Sequence, residues 1–102
     1  MTKFADRVYE ILRKVPVGKV TTYKLIAEKL NSKAYRAVGQ ALKNNPYAPE
    51  VPCHRVVKSD GSIGGFMGKT EGEEIYKKIF LLKSEGVEVK NGKVADFEKI
   101  KI

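Results

Sequence analysis

A lone cysteine, Cys53, beside a lone histidine, His54, removes most of the devices that can hold together a chain of 102 residues. One cysteine forms no intramolecular disulfide, and one Cys with one His falls short of the four ligands of a structural zinc site. No metal site is therefore expected, and the thiol fits a reducing, cytoplasmic setting. The fold has to come from burial of apolar faces. At this length the expectation is a single domain over residues 1–102, since domains take about 100–200 residues. No apolar run approaches the roughly 20 residues of a membrane span. The segment Met1–Arg7 also lacks the apolar stretch of a secretory signal.

The apolar faces are mostly helical. Phe4, Val8, Ile11, Leu12 and Val15 recur at helical spacing, and Pro16 and Gly18 end that run. Thr22 suits an N-cap for a helix from Tyr23 to Leu30, with Leu25, Ile26 and Leu30 inward. Asn31 suits the turn, and Ser32 suits the cap of a helix over Lys33 to Lys43. That helix carries Ala34, Val38, Ala41 and Leu42 on one side and Arg36, Gln40 and Lys43 on the other. Two short helices joined by a polar turn predict a helix-turn-helix. Beyond Asn44-Asn45-Pro46, a loop leads through Pro52 to a short extended Arg55–Lys58 and a glycine-dense loop at 64–68. Thr70-Glu71-Gly72-Glu73 matches a capping box for a longer helix to Ser84, with Ile75, Ile79, Phe80 and Leu82 towards the core. Alternation around Asn91-Gly92 predicts a closing β-hairpin. The expected class is a small α/β domain, mainly helical, with a plain or winged helix-turn-helix and a short C-terminal hairpin.

Charge narrows the partner. Twenty Lys and Arg against twelve Asp and Glu give +8, and residues 1–50 hold ten basic residues to four acidic. A polyanion is the leading partner of such a surface, with ordinary solubility as the plain alternative. The chemistry concentrates in Pro52-Cys53-His54-Arg55. A thiol near its usual pKa of about 8.5 is only a few per cent thiolate at neutral pH. An adjacent imidazole can take its proton directly or through one water, and Arg55 adds positive potential.

These residues carry a resemblance. Val51-Pro52-Cys53-His54-Arg55-Val56-Val57 resembles the active-site motif of the O6-alkylguanine-DNA alkyltransferases. Val20–Tyr23, Tyr35–Ala41, Asn44-Asn45-Pro46, Ile63–Phe66 and Leu81–Gly86 follow the family's order, so the resemblance spans about residues 3–89. It implies the active-site and DNA-binding domain of that family, without the additional N-terminal domain its members usually carry. It implies Cys53 as the nucleophile, His54 as its base, Glu85 as the carboxylate orienting His54, and Asn45 as the brace of the cysteine loop. Tyr23 is implied to crowd the DNA backbone and bond the flipped guanine, and Arg36 to enter the base stack. Val56 and the Gly64–Met67 loop, hence Gly65, Phe66 and Met67, are implied as the guanine pocket wall. Gln40, Lys43 and Arg55 are expected on the DNA-facing side.

The activity implied is DNA repair by a methylated-DNA–protein-cysteine methyltransferase, a monomer without cofactor. It flips the damaged base of double-stranded DNA from the minor groove and moves the alkyl group once to its own thiol. The alternatives are an alkyltransferase-like protein that binds damage without transfer, a helix-turn-helix regulator, and a Cys-His hydrolase. The basic face argues against the last.

Overall fold

A computed structural model describes residues 3–66 and 68–102. Along the chain run α1 (Phe4–Arg13), β1 (Thr21–Thr22), α2 (Tyr23–Lys29), α3 (Tyr35–Lys43), a 3₁₀ turn (Cys53–Arg55) and β2 (Val56–Val57). Then come α4 (Glu73–Ser84), β3 (Val89–Lys90), β4 (Lys93–Val94) and α5 (Phe97–Ile100). This is the expected small α/β architecture, helix-rich with short strands.

The first core joins α1, α2 and α3. Val8, Tyr9 and Leu12 of α1 meet Ile26, Ala27 and Leu30 at α2 and Val38, Ala41 and Leu42 of α3. Tyr9 donates its hydroxyl proton to the Ala41 carbonyl at 2.7 Å, so a polar group inside this core is satisfied. Thr22 caps α2 as expected: its Oγ1 accepts from Leu25 N at 3.0 Å. A cap of this type contributes about 1 kcal/mol. The turn into α3 uses Asn31 at φ 52°, a left-handed position that asparagine tolerates.

Two expected helix starts are corrected. Ser32 does not cap a helix from Lys33. Its Oγ closes the turn on Ala34 N at 2.9 Å, and α3 begins at Tyr35. The capping box at Thr70–Glu73 does not form either. Gly72, at φ 91°, is the residue before α4, so Thr70 lies too far upstream to reach the first turn.

The inward face of α4 is also corrected. Ile75, Lys78, Ile79 and Leu82 share one side, at the i, i+3, i+4, i+7 spacing of a buried stripe. Phe80 lies two residues from both Lys78 and Leu82, roughly 200° round the helix, and is 61% exposed.

A second core holds Val20, Val57, Ile63, Leu82, Val87 and Val94. The two cores meet at a two-residue parallel ladder, where Thr21 pairs with Val56 and Thr22 with Val57. Successive strand residues point to opposite faces. Val56 accordingly enters the first core and Val57 the second. The hairpin β3–β4 turns over Asn91 (φ 51°) and Gly92 (φ 74°), as expected for Asn-Gly. Helix α5, which the periodicity did not announce, ties the C-terminus to β1: Val20 N donates to Ile100 O and Ile102 N to Val20 O. No helix among the described residues is long and apolar enough to cross a membrane.

Candidate functional site

The ladder sets the site. β1 runs directly into Tyr23 at the start of α2, and β2 leaves directly from the cysteine turn. Pairing β1 with β2 therefore fixes Tyr23 relative to Cys53. The turn is held by its own backbone, with Arg55 N donating to Pro52 O at 2.9 Å and Cys53 N to Val51 O at 2.8 Å. Asn45, 5% exposed, braces the loop before it: Nδ2 donates to Val51 O at 2.9 Å and Oδ1 accepts from Tyr47 N at 2.9 Å.

His54 and Glu85, 31 residues apart, lie together: His54 Nε2 is 2.8 Å from Glu85 Oε2. A carboxylate only accepts, so the ring proton sits on Nε2 and Nδ1 is left as the base. The end of α4 supplies the carboxylate. Gly86 sits at φ 86°, its N–H goes to Lys83 O at 3.0 Å, and Val87 N–H goes to Leu82 O at 2.9 Å. That pair of bonds is a Schellman motif with buried Leu82 and Val87 as its apolar contact. It leaves Glu85 as the C-cap, facing the cysteine turn. Arg55 grips the same carboxylate through Nε (2.9 Å to Oε1) and Nη2 (2.8 Å to Oε2), and its Nη1 donates to Val15 O at 2.7 Å. Arg55 was expected on the DNA-facing side. The structure turns it inward, where it anchors Glu85.

The electrostatics describe a resting, neutral pair. Burial pushes the Cys53 thiol pKa up, against an Asn45 hydrogen bond and the Lys78 charge, which pull it down. Burial pushes the His54 pKa down, against the Glu85 hydrogen bond and charge. Burial also acts to raise the Glu85 pKa, but the hydrogen bonds from Arg55 and His54 outweigh it, and the carboxyl ends below its usual range. Glu85 is thus a fixed anion able to stabilise an imidazolium once His54 takes a proton.

Cys53 opens into a hollow of about 230 Å³ bounded by Tyr23, Leu42, Lys43, Gly65 and Phe66, with Gly39 and 68–70 at its edge. Tyr23 is half-buried, and burial raises its hydroxyl pKa. A methyl group at Gly64 would stand 3.7 Å from that hydroxyl, so the glycine loop passes close over Tyr23. At Gly65 a side chain would meet Lys69 O at 2.8 Å, closer than packing allows. Met67 lies outside the described residues. Val56, expected as part of the pocket wall, is fully buried in the first core and does not line this hollow. Arg36 and Gln40 are exposed on α3, and Lys43 lies along the hollow with its stem about Gly68.

The residue that periodicity overlooked is Lys78. It is 0% exposed, and Nζ donates to the carbonyls of Val56 (2.8 Å), Gly65 (2.9 Å) and Ile63. One ammonium thus ties the strand after the cysteine to the glycine loop that walls the hollow. Burial lowers its pKa to about 7, with the Cys53 charge acting to raise it. The signal was present as a lysine in the stripe Ile75–Lys78–Ile79–Leu82.

Comparison with known proteins adds to this geometry. Residues 3–87 match the family described as 6-O-methylguanine DNA methyltransferase, DNA binding domain. A methylated-DNA–protein-cysteine methyltransferase of Thermococcus sibiricus is 48% identical over 87 residues, covering 84% of this chain and 46% of the relative. The chain spans about half the length of such curated relatives. The O6-methylguanine-DNA methyltransferase of Pyrococcus kodakaraensis superposes with a TM-score of 0.72 at 48% identity, over 85% of this chain and 48% of that one. Atl1 of S. pombe, solved with damaged DNA containing O6-carboxymethylguanine, superposes with a TM-score of 0.83 at 29% identity over 100% of this chain and 98% of that one.

Proposed function

Because the chain belongs to the 6-O-methylguanine DNA methyltransferase family, over its DNA-binding domain, we propose that it repairs DNA by moving the alkyl group of an O6-alkylguanine onto Cys53. The observation that carries this reading is a thiol at a hollow beside a buried imidazole that a carboxylate holds in one tautomer.

DNA approaches the helix-turn-helix, where Arg36 and Gln40 stand exposed at the start and middle of α3. Extruding a base from the stack costs a few kcal/mol. The planar guanidinium of Arg36 offsets part of that by filling the vacated space. The base enters the hollow between Tyr23 and the glycine loop. His54 Nδ1 takes the thiol proton, directly or through a water, and Glu85 stabilises the resulting charge. The sulfur lone pair forms the S–C bond while the C–O6 bond breaks, its electron pair going to the guanine oxygen. A proton to the guanine, for which Tyr23 offers a hydroxyl at the wall of the hollow, completes its departure. The thioether has no hydrolytic way back, so each molecule reacts once. We place this in the cytoplasm, where a thiol stays reduced until used.

Incubation with a duplex containing O6-methylguanine, followed by intact mass, tests the reading. One methyl added to the wild type and none to Cys53→Ser supports transfer. Methyl uptake by Cys53→Ser removes the thiol from its role. Binding of the damaged duplex with no mass change supports a damage-binding module instead.

A further inference from the structure

Asn45 and Val51 are the buried anchors of the cysteine loop, and residues 46–50 between them are exposed. An exposed loop without regular structure opens readily unless something outside it holds it. Here the hold comes from α1. Tyr9 and Arg13 stand four residues apart, so they lie one above the other on a single face of that helix. The Tyr47 ring meets Tyr9 edge to face, with centroids 5.7 Å apart and planes at 84°. The Arg13 guanidinium lies over the same Tyr47 ring, 5.7 Å from its centroid. Arg13 Nε also donates to Glu50 Oε1 at 3.2 Å. One arginine thus grips both ends of the exposed stretch.

The grip is passed to the sulfur through backbone. Tyr47 O accepts from Val51 N at 3.1 Å, and Val51 O accepts from Cys53 N at 2.8 Å. Beyond the turn, Arg55 Nη1 donates to Val15 O, just past the end of α1. The cysteine turn is therefore tied to the α1 end of the fold from before and from behind, although no α1 residue lines the hollow. Helix α1 is itself fixed to α3, the exposed helix of the helix-turn-helix, by the Tyr9 hydroxyl on Ala41 O.

Displacement at carbon is exacting about place. The sulfur must stand in line behind the C–O6 bond, and a misplacement of about 1 Å can cost about 100-fold in rate. Hydrogen bonds inside the turn fix its shape. They do not fix where the whole turn stands relative to a base held between Tyr23 and the glycine loop.

We propose that Arg13 and Tyr47 are positioning residues, a latch that holds the Cys53 loop on α1 and so sets the rate of the transfer step without touching DNA; this rests on the transfer reading above. A cation over an exposed ring and an exposed ion pair are each weak. Sharing one guanidinium makes them close together. Their loss loosens the loop without unfolding it, because Asn45 and Val51 keep their buried bonds.

The test is single-turnover transfer from an O6-methylguanine duplex, read by intact mass over a range of duplex concentrations. That series separates the limiting rate from the half-saturating concentration. The proteins are wild type, Arg13→Ala, Tyr47→Ala, Tyr47→Phe and Arg7→Ala, each assayed well below its own Tm so that a lower rate is not a loss of folded protein. Arg13→Ala and Tyr47→Ala are expected to lower the limiting rate about three- to tenfold. The half-saturating concentration should move less than about twofold. Tyr47→Phe keeps a ring against Tyr9 and beneath Arg13, and keeps the rate. Arg7→Ala removes an equal charge from the exposed side of the same helix and also keeps it. Limiting rates within about twofold of wild type in both alanine variants overturn the inference and leave the repair reading standing. So does a change confined to the half-saturating concentration, which would make Arg13 a DNA contact, and so does an equal loss in Tyr47→Phe or Arg7→Ala. Absence of transfer by the wild type overturns the repair reading and the latch together.

Discussion

Replacing Lys78 with Met removes the one lysine of the described residues that is fully buried, and its pH dependence can be worked out from the structure. Lysine ordinarily titrates at 10.5, and burial brings Lys78 to about 7. Between those values the unfolded chain binds a proton that the folded chain does not, so stability rises with pH. The contribution is complete above about 10.5 and is lost as pH falls through about 7. One pKa unit corresponds to about 1.4 kcal/mol, so from pH 6 to pH 9 the wild type should gain about 2–3 kcal/mol relative to Lys78→Met. The offset at any one pH mixes two opposed effects. Removing the amine lifts a desolvation penalty and also leaves three carbonyls without their donor, at about 1–3 kcal/mol each. The slope isolates the amine. Lys78 and Cys53 act on each other's titration, so both proteins carry Cys53→Ser, which removes the thiol from the difference. Urea unfolding followed by circular dichroism at pH 6, 7, 8 and 9 measures it. A difference that stays level across the range would refute the reasoning: the amine would then keep its proton throughout, the carbonyl cradle outweighing burial.

Three further outcomes follow from the site. Glu85→Gln leaves His54 and Arg55 without their shared anion. It should slow single-turnover transfer about 100-fold and, from about 1–2 kcal/mol after allowance for partial exposure, lower Tm by about 5–15 °C; wild-type transfer would remove Glu85 from the relay. Arg36→Ala should reduce transfer from a duplex about tenfold while lowering affinity for undamaged duplex less than about threefold. Equal losses would make Arg36 a phosphate contact. Gly65→Ala forces its methyl against Lys69 O and should destabilise by about 1–3 kcal/mol in a denaturant melt; unchanged stability would show that the loop yields freely.

Much of this molecule was legible in one dimension because its signals are local. Thr22 reads as a cap, since the hydroxyl that caps α2 belongs to the residue beside it. The Asn91-Gly92 turn reads as a hairpin because its two positive φ angles suit those two residues. The helix faces of α1 to α3 follow from spacing. The identity of the motif around Cys53 and His54 is equally local. By contrast, Phe80 was assigned inward on apolarity alone, and Lys78 was passed over for its charge, although their spacing on α4 places them the other way round.

What the tertiary structure alone decided are the meetings of distant groups. Two-residue strands carry no periodic signal, so the parallel pairing of Thr21-Thr22 with Val56-Val57, which sets Tyr23 against Cys53, could not be read beforehand. The inward turn of Arg55 depends on a carboxylate 30 residues away and on the Val15 carbonyl. A buried lysine nitrogen is tolerable only where it finds polar partners, and the carbonyls of Val56, Ile63 and Gly65 converge only once the chain has folded around Lys78. Composition and spacing determined which groups were available; the free energy of burying them determined which had to find one another.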